Sequence, residues 1–407
     1  LFLVEDWPLT PDASGGAGPL CYAHLALLVR SGWQVWLVVL VGEKSSKGFA
    51  RFVEEQPDIW LEVQGWCHHH TLIQIARCQT SQTLWKRVAN ILRKPDRLLI
   101  DPAPRMVDQL QEQVKLAQPT LIWAEHLLPT TVAVQALRPE KVVYSHHDWH
   151  WRIKSLRHDS SDWRRRILMR ARRRHEEKLV RVVKACITGS GSEGEDIAHI
   201  SGKPVGYFPI TYEPVDQSSQ EFHDDVRIVH LGGMQTTANR LGLARFLEIS
   251  WPLICLELPV PPQLWVVGSL SGASENLQDM LHAADARCTG YVEDLGTVLR
   301  SYDLHIIPWE YDTGTRTRIP LAMNRSQVIV STQAAAACLP ELEHEHNCIL
   351  TSDLVEMAYE IIALSANNQR RRRLAHASHE TFLQNFTVEA LQPRLEKFLS
   401  SEVELPV

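Results

Sequence analysis

The sequence predicts an α/β protein with two Rossmann-like domains, whose parallel sheets face a central cleft. The chain has 407 residues, which is too long for a single hydrophobic core. This length fits two domains of roughly 200 residues each. Short apolar runs alternate with segments of helical periodicity, the pattern of βαβ units. The alternation stops over residues 206–226, which are rich in Pro, Ser and acidic residues, and then starts again. This stretch predicts a linker between two domains.

The first domain is assigned to residues 1–205 and opens with the apolar run "LFLV". The segment "SGGAGPLCYAHLALLVRSG" then predicts a glycine turn followed by a helix that ends at Gly32. Further strands are predicted at 33–41, 97–101, 120–125, 141–148 and 184–190. These strands are separated by helical segments, so they predict a parallel sheet covered on both faces.

The second domain is assigned to residues 206–385 and repeats the pattern. Its strands are predicted at 226–233, 263–269, 286–292, 302–309, 327–332 and 347–351. Residues 386–407 are expected to form a helix that crosses back to the first domain.

Composition excludes several classes of protein. The net charge of −6 gives no general attraction to nucleic acid. No apolar run reaches the ~18 residues that span a bilayer. The eight cysteines contain no CxxC pair and no short zinc-binding spacing, which indicates reduced thiols. A cytoplasmic protein is therefore expected, and peripheral contact with the inner face of a membrane stays open as an addition.

Ligands of open α/β sheets bind beyond the carboxyl ends of the strands, and two such stretches lie in the first domain. Gly15 and Gly16 stand between a strand and a helix, where free N–H groups favour an anion. This pattern is not GxGxxG, and a plain tight turn explains it equally well. In "SHHDWHWR", His147 and Asp148 follow a strand and suit proton transfer or contacts with sugar hydroxyls.

Zinc is the sharper alternative for this histidine-rich stretch, with His146, His147 and His150 as ligands. It is disfavoured because a strand end rarely presents adjacent histidines to one ion. The "HHH" at 68–70 does not follow a predicted strand and is interpreted as surface histidines.

Two more stretches lie at strand ends of the second domain. In "LGGMQTTANR", Gly233 and Arg240 are placed to hold a diphosphate. In "YDTGTRTRIPLAM", the residues around Gly314 and Thr315 are expected at a helix N-terminus, with Arg316 beside the phosphate. Each stretch alone is a weak signal.

Residues 162–184 are unusually basic, with seven arginines between 164 and 174. At about 100° per residue, these arginines are expected to wind around a helix and not to line one face. A solvated helix is the favoured interpretation, and contact with an anionic membrane surface is the main alternative. Nucleic acid is disfavoured because no known binding motif accompanies the cluster.

In order and spacing, these motifs resemble the retaining GT-B glycosyltransferases of the glycosyl transferases group 1 type (family 4). The resemblance rests on "GGAGPLCYAHLALLVRSGWQVWLV", "VVYSHHD", "VRIVHLGGMQTTANRLGLARFLE", "PPQLWVVGS", "CTGYVEDLGTVLRSYDLHIIPW", "GTRTRIPLAM" and "NFTVEAL". It implies transfer of a sugar with retained configuration from a UDP- or GDP-linked donor, in polysaccharide or glycan biosynthesis. The implied acceptor is a glycan, a lipid-linked molecule or a small molecule. The resemblance implies neither a metal nor a cofactor, since the nucleotide sugar is a substrate.

The resemblance also implies site residues. His147 with Asp148 would approach the donor sugar, and Gly15 and Gly16 would line the cleft near the phosphates or the acceptor. The implied donor-binding residues of the second domain are Gly233, Arg240, Gly290, Tyr291, Val292, Gly314, Thr315, Arg316 and Arg318. Of these, Gly290, Tyr291 and Val292 would hold the base.

One departure concerns the donor ribose. The family's Lys-x-Leu-Glu-Ala-Met reads Arg318-Ile319-Pro320-Leu321-Ala322-Met323 here, and Leu321 cannot bond a ribose diol. Glu310 or Asp312 is the hypothetical substitute. The departure keeps a weakened sugar-nucleotide-binding protein or partner subunit open as an alternative. A sugar-nucleotide epimerase is the other, and it would require carboxylates in the cleft.

Overall fold

The computed structural model describes residues 1–11, 17–42, 48–75, 102–156, 163–216 and 222–404. These residues form two compact units. The first contains Leu1–Pro11, Ala17–Pro209 and the C-terminal Gln392–Val407, and the second contains Ile210–Leu391.

The first unit contains a parallel sheet of seven described strands. The strands are β1 (Phe2–Glu5), β2 (Trp36–Val41), β3 (His69–Gln74), β4 (Ile122–Glu125), β5 (Val142–His146), β6 (Ala185–Thr188) and β7 (Val205–Tyr207). Their order across the sheet is β3-β2-β1-β4-β5-β6-β7, so successive strands are added on one side of β1 up to β3 and on its other side from β4 onward. This is the doubly wound order that the alternating pattern predicts, and its switch point lies between β1 and β4.

The edge strand β3 was not predicted, because its residues show almost no buried face. Of its six side chains only Ile73 is buried, and the edge histidines are exposed. The strand expected at 97–101 lies outside the described residues.

Helices cover this sheet and share its apolar core, in which Leu3, Val38 and Ala124 of the strands pack against Leu110 and Val132 of the helices. The helices are α1 (Ala17–Arg30), α2 (Phe49–Glu55), α3 (Pro57–Trp66), α4 (Pro104–Ala117), α5 (Leu127–Ala136), α6 (His150–Leu156), α7 (Trp163–Val182) and α8 (Gly191–Ser201).

The second unit repeats the architecture with six described parallel strands. They are β8 (Arg227–Leu231), β9 (Gln263–Val267), β10 (Arg287–Gly290), β11 (Leu304–Ile307), β12 (Val328–Thr332) and β13 (Ile349–Thr351). Their order across the sheet is β10-β9-β8-β11-β12-β13. The helices are α9 (Thr237–Glu257), α10 (Glu275–Ala283), α11 (Arg318–Asn324), α12 (Gln333–Ala336), α13 (Leu354–Ser365), α14 (Asn368–Asn385) and α15 (Val388–Ser401). All six strands expected from the sequence are present.

The division between the units falls after Pro209, four residues beyond the expected 205. A cut at 205 would split β7, which pairs with β6. The segment after Pro209 is held by α11, since the Asn324 side chain donates to the Glu213 carbonyl oxygen and accepts from the Val215 N–H. Much of the expected linker is therefore structured.

The last helix, α15, ends within the first unit. Phe398 lies 5.6 Å from Phe208, ring centre to ring centre, and the Gln392 amide donates to the Arg30 carbonyl oxygen at 2.7 Å.

The arginines of the basic helix α7 do not all share one face. Those at 166, 170, 173 and 174 are exposed and, with Arg181, follow an i, i+4, i+7, i+8, i+15 spacing on one side of the helix. Arg172 is half-buried on the opposite side, next to the buried stripe of Ala171, His175 and Leu179. None of the described helices is both long enough and apolar enough to span a membrane.

Candidate functional site

The carboxyl edge of the second sheet is formed by glycine turns after three neighbouring strands. Gly232, Gly268 and Gly290 have φ values of +130°, +134° and +72°, which disfavour a side chain. A Cβ on Gly268 would lie 2.9 Å from the Gly232 carbonyl oxygen. The turns are also bonded to each other, because the Gly268 N–H donates to the Gly290 carbonyl oxygen at 2.9 Å. The edge is therefore a tightly packed surface of backbone groups.

Two arginines contact the turn that follows β8. The Arg318 guanidinium donates to the Leu231 carbonyl oxygen at 2.6 Å, and the Arg240 guanidinium donates to the Met234 carbonyl oxygen at 3.1 Å. The Asn239 amide holds the same turn by donating to the Gly233 carbonyl oxygen. The structure thus brings Gly233, Arg240 and Arg318 together at the switch point of the sheet, between β8 and β11.

Arg318 is a buried cation without a compensating anion. It is 8% exposed, and no carboxylate of the described residues lies within ion-pair distance. Burial, with a smaller contribution from the Arg316 charge, lowers the pKa of Arg318 to about 9. The equally buried Arg227 of the same unit differs, because its guanidinium forms two hydrogen bonds with Asp303. An unpaired buried charge is costly, so the Arg318 position is suited to an anionic ligand.

The loop before α11 corrects one expectation. Helix α11 begins at Arg318 with Thr317 as its N-cap, so Gly314 and Thr315 lie in the preceding loop and not at the helix N-terminus. Gly314 has φ +65°, which a right-handed helix does not allow. Pro320 is in the first turn of α11, where a helix needs no N–H donor, and this explains a proline inside the motif.

Arg316 is held beside Arg318 by the same loop. Its guanidinium donates to the Thr313 carbonyl oxygen and lies 5.8 Å from the centre of the Trp309 ring. The Trp309 indole N–H in turn donates to the Thr313 hydroxyl at 3.2 Å.

Leu321 lies in an apolar cluster and not beside polar groups. It packs with Val229, Leu231 and Leu299, and Val292 lies against the same cluster. Tyr291 is 57% exposed. Leu321 therefore has apolar surroundings that include side chains of β8 and β9. The hypothetical substitute Glu310 is paired with Arg245, with 3.3 Å between Oε2 and Nε.

We expect Leu321→Glu to lower the free energy of unfolding by about 1 to 2 kcal/mol, because the new carboxylate would be buried among apolar side chains. Leu321→Met is the matched control and should cost less, since it conserves volume and polarity. Urea denaturation of the two variants measures the difference. Equal stability of both would contradict the apolar environment described for this position.

In the first unit, the site is built around Glu125 at the carboxyl end of β4. Its carboxylate is fully buried and lies 2.6 Å from His147 Nε2 and 2.8 Å from His24 Nδ1. The Trp123 indole N–H also donates to it, at 2.6 Å. His147 follows β5 and His24 is on α1, so three elements meet at this carboxylate. The neighbouring Asp148 is half-buried.

Hydrogen-bond chemistry indicates the protonation states of this cluster. His24 Nε2 lies 3.0 Å from the Phe208 carbonyl oxygen, which only accepts, and its Nδ1 faces the Glu125 carboxylate. Both ring nitrogens therefore donate, and His24 is an imidazolium paired with a carboxylate. Burial opposes the charge on His24, but the attraction of Glu125 outweighs it and raises the pKa of His24.

Glu125 and His147 respond in the complementary way. Burial opposes ionisation of Glu125, yet the His24 charge and the hydrogen bonds from His147 and His24 hold the pKa of this carboxyl well below its usual range. Burial lowers the pKa of His147 to about 4, despite its hydrogen bond to Glu125. His147 is therefore neutral at physiological pH, with its hydrogen on Nε2.

The three histidines considered as zinc ligands each lie beside a different side chain. His146 lies 3.4 Å from Glu193, His147 contacts Glu125, and His150 lies 3.1 Å from His126. Within the described residues, a different trio is close enough to share an ion, namely Cys21, Glu125 and His147. Glu125 already accepts from three N–H groups and burial raises the pKa of the Cys21 thiol, so these residues fit a hydrogen-bonded cluster better than a metal. Gly15 and Gly16 lie outside the described residues.

Residues 225–367 match the family model described as Glycosyl transferases group 1. The match lies within the second unit. The matched residues contain the glycine turns, Arg240, Arg318 and Leu321. No curated protein sequence matches the chain.

Solved structures resemble the whole chain at low sequence identity. The HepE protein of Anabaena in complex with UDP-glucose is 15% identical with a TM-score of 0.63, over 98% of this chain and 99% of HepE. Sucrose-phosphate synthase of Thermosynechococcus elongatus is 16% identical with a TM-score of 0.63, over 97% of both chains. WaaG, a glycosyltransferase involved in lipopolysaccharide biosynthesis, is 11% identical with a TM-score of 0.60, over 98% of this chain and 100% of WaaG. The chain has the GT-B fold of these glycosyltransferases.

Sequence reasoning missed Glu125, His24 and Gly268. A signal existed for two of them. Glu125 is a carboxylate at the end of the apolar run "TLIWAE", and Gly268 ends the run "QLWVVG". His24 lies inside an apolar helical segment and gives no comparable signal.

Proposed function

We propose that the protein is a glycosyltransferase that takes a sugar from a nucleotide-diphosphate sugar, UDP- or GDP-linked, and transfers it with retention of configuration. The observation that carries the proposal is the buried, uncompensated Arg318 beside the glycine turn of the unit that matches the Glycosyl transferases group 1 model. A diphosphate supplies the anion that this position lacks. HepE, a structural relative, binds UDP-glucose, which supports a UDP-linked donor.

In the proposed mechanism, charge develops on the leaving diphosphate as the bond to the sugar breaks. Arg318, Arg316 and Arg240 stabilise this charge, together with the backbone N–H groups of the Gly233 turn. Helix α9 begins shortly after that turn, and its N-terminus adds partial positive charge. Three guanidinium groups can neutralise a diphosphate, so we propose a metal-independent reaction without a cofactor.

In the same proposal, the acceptor hydroxyl attacks from the face that the diphosphate leaves, which retains the configuration without a protein nucleophile. His147 and Asp148 contact the donor sugar, and Gly290, Tyr291 and Val292 hold the base. Gly314 and Thr315 lie in the loop that carries Arg316, and we assign them a supporting role at the phosphate. The proposed acceptor is a glycan, a lipid-linked molecule or a small molecule.

Calorimetric titration with UDP-glucose and with GDP-mannose, followed by assays of slow donor hydrolysis, tests the proposal. We expect one of the two nucleotide classes to bind and its sugar to be released slowly into water. Absence of binding to both classes would overturn the proposal.

The second candidate is a sugar-nucleotide-binding protein or partner subunit without turnover, which the apolar surroundings of Leu321 favour. Binding without hydrolysis or transfer over a broad acceptor panel would support it. An epimerase is less favoured, because the carboxylate of Glu125 accepts three N–H groups and is not available as a base.

We also propose that the exposed face of α7 contacts an anionic membrane surface at the cytoplasmic side. This face carries Arg166, Arg170, Arg173 and Arg174, and the exposed Ile167 lies beside it. Cationic side chains next to exposed aliphatic ones suit a surface of anionic headgroups.

We expect the double substitution Arg170→Glu and Arg174→Glu to weaken binding to phosphatidylglycerol-containing vesicles about tenfold or more, since each cation contributes about 1 kcal/mol at such a surface. Vesicle co-sedimentation measures the binding. Arg105→Glu with Lys115→Glu on α4 is the matched control, because it makes the same charge change on exposed residues of the same unit. An equal loss in both variants would show a general charge effect and contradict a docking face on α7.

A further inference from the structure

The Glu125 cluster contains more buried polar groups than a hydroxyl contact by His147 requires. Glu125, His24, Ser145 and His147 are each at most 4% exposed, and they connect α1, β4 and β5. The Ser145 hydroxyl lies 3.4 Å from His24 Nδ1. Buried charges are retained at a cost, so their arrangement calls for a role other than stability alone.

One carboxylate faces two imidazole rings in this cluster, and it can balance the charge of only one of them. His24 has two acceptors, the Glu125 carboxylate and the Phe208 carbonyl oxygen, and therefore holds the extra proton. His147 has the same carboxylate as the partner of its Nε2 atom only. A second imidazolium at His147 would also be repelled by His24.

We propose that Glu125 and His24 are positioning residues, which as a buried ion pair keep His147 neutral and in the tautomer with hydrogen on Nε2 and a lone pair on Nδ1. This inference rests on the proposed function for the assignment of His147 to the donor sugar. With Nδ1 as an acceptor, His147 recognises a hydroxyl group of that sugar and does not stabilise the anionic diphosphate.

The surroundings of His147 agree with a fixed ring. The His126 ring stands perpendicular to the His147 ring at 5.2 Å between centres. His126 itself has φ +78°, a strained value for a residue other than glycine, at the end of β4. Its Nδ1 lies 3.2 Å from Glu5, so Glu125 and Glu5 each engage one ring of this perpendicular pair.

Nitrogen NMR of the histidine-labelled wild-type protein tests the protonation states directly. Between about pH 6 and about pH 8, where an ordinary imidazole changes its charge, we expect His147 to show only the Nε2–H tautomer. His24 should show two protonated nitrogens over the same range. His24→Asn and His147→Asn assign the signals. A mixed tautomer or a charged ring at His147, or a neutral ring at His24, would overturn the proposal.

The variant Glu125→Gln tests the consequence for function. An amide cannot balance the His24 charge, so we expect a mixture of His147 tautomers and a turnover of the donor sugar reduced about tenfold, a loss in kcat caused by misorientation. UDP affinity should stay unchanged, because the arginines that we assign to the phosphates lie in the other unit.

The matched control is Glu193→Gln, which removes the carboxylate of the buried His146–Glu193 pair at the same edge of the sheet. It should change neither the His147 signals nor turnover. If Glu125→Gln showed the same His147 tautomer and the same turnover of the donor sugar as the wild-type protein, the positioning role would be overturned. Failure of the wild-type protein to bind any nucleotide sugar would instead overturn the proposed function. The NMR result would still decide the protonation states of His24 and His147, because it does not depend on binding.

Discussion

Arg318→Met is expected to weaken UDP binding about 100-fold and to leave the stability of the unliganded protein within about 1 kcal/mol of wild type. The loss of affinity follows from removing a buried cation that pairs with the diphosphate, which costs about 2 to 5 kcal/mol or more in comparable pairs. Stability changes little because the lost hydrogen bond to the Leu231 carbonyl oxygen is offset by removal of an unpaired buried charge. Calorimetry with UDP and urea denaturation measure the two quantities.

Arg227→Met is the matched control for this prediction, because Arg227 is as buried as Arg318 but is paired with Asp303. Its removal leaves the buried Asp303 with the Arg300 backbone N–H and the more distant Arg300 guanidinium, so we expect a loss of about 3 to 5 kcal/mol in stability. Replacing Arg318 should thus weaken UDP binding and spare stability, whereas replacing Arg227 should lower the free energy of unfolding. A large loss of stability in Arg318→Met, with unchanged UDP affinity, would show that Arg318 is a structural residue.

Between pH 7.5 and pH 5, the free energy of unfolding of the second unit is expected to fall by about 2 kcal/mol less in His305→Asn than in the wild-type protein. His305 is fully buried on β11, and burial, with a smaller contribution from the Arg318 charge, lowers its pKa from the ordinary 6.5 to about 3. The unfolded chain therefore binds a proton below pH 6.5 that the folded chain does not bind. The stability contributed by neutral His305 is full above pH 6.5 and is lost as the pH falls toward 3.

Asparagine removes this titration and keeps a donor for Gln327, whose side-chain oxygen lies 3.0 Å from His305 Nδ1. Urea denaturation at the two pH values measures the effect. The exposed His282→Asn on α10 is the control and should leave the wild-type difference in stability between the two pH values. An unchanged pH dependence in His305→Asn would contradict the suppressed protonation of the buried ring. His230, whose pKa burial also lowers, should keep part of the acid sensitivity in this variant.

The fold was predictable from the sequence because most of its strands are continuous apolar runs. Runs such as "VWLVVLV" and "RIVHL" are mostly buried, since helices cover both faces of a parallel sheet, and their composition shows this directly. The edge strand β3 escaped prediction for the same reason, since only Ile73 of its residues is buried.

The site was predictable in part. Gly233, Arg240, Arg316 and Arg318 are brought together because all of them follow strands β8 or β11 at the switch point of one sheet. The start of α11 was misplaced by three residues, since the left-handed Gly314 delays a helix that periodicity alone extends backward. Local patterns do not reveal such backbone angles.

The sequence by itself determined the two parallel sheets and the strand ends that carry the candidate site. The tertiary structure alone decided which arginine has a carboxylate partner and which histidine carries a proton. Arg227 and Arg318 are the same residue type, yet only Arg227 meets an aspartate, 76 positions away in the chain. His24 and His147 differ because Phe208, 184 positions from His24, supplies a second acceptor to one ring only. Charge and protonation depend on neighbours that the chain brings together only when it folds.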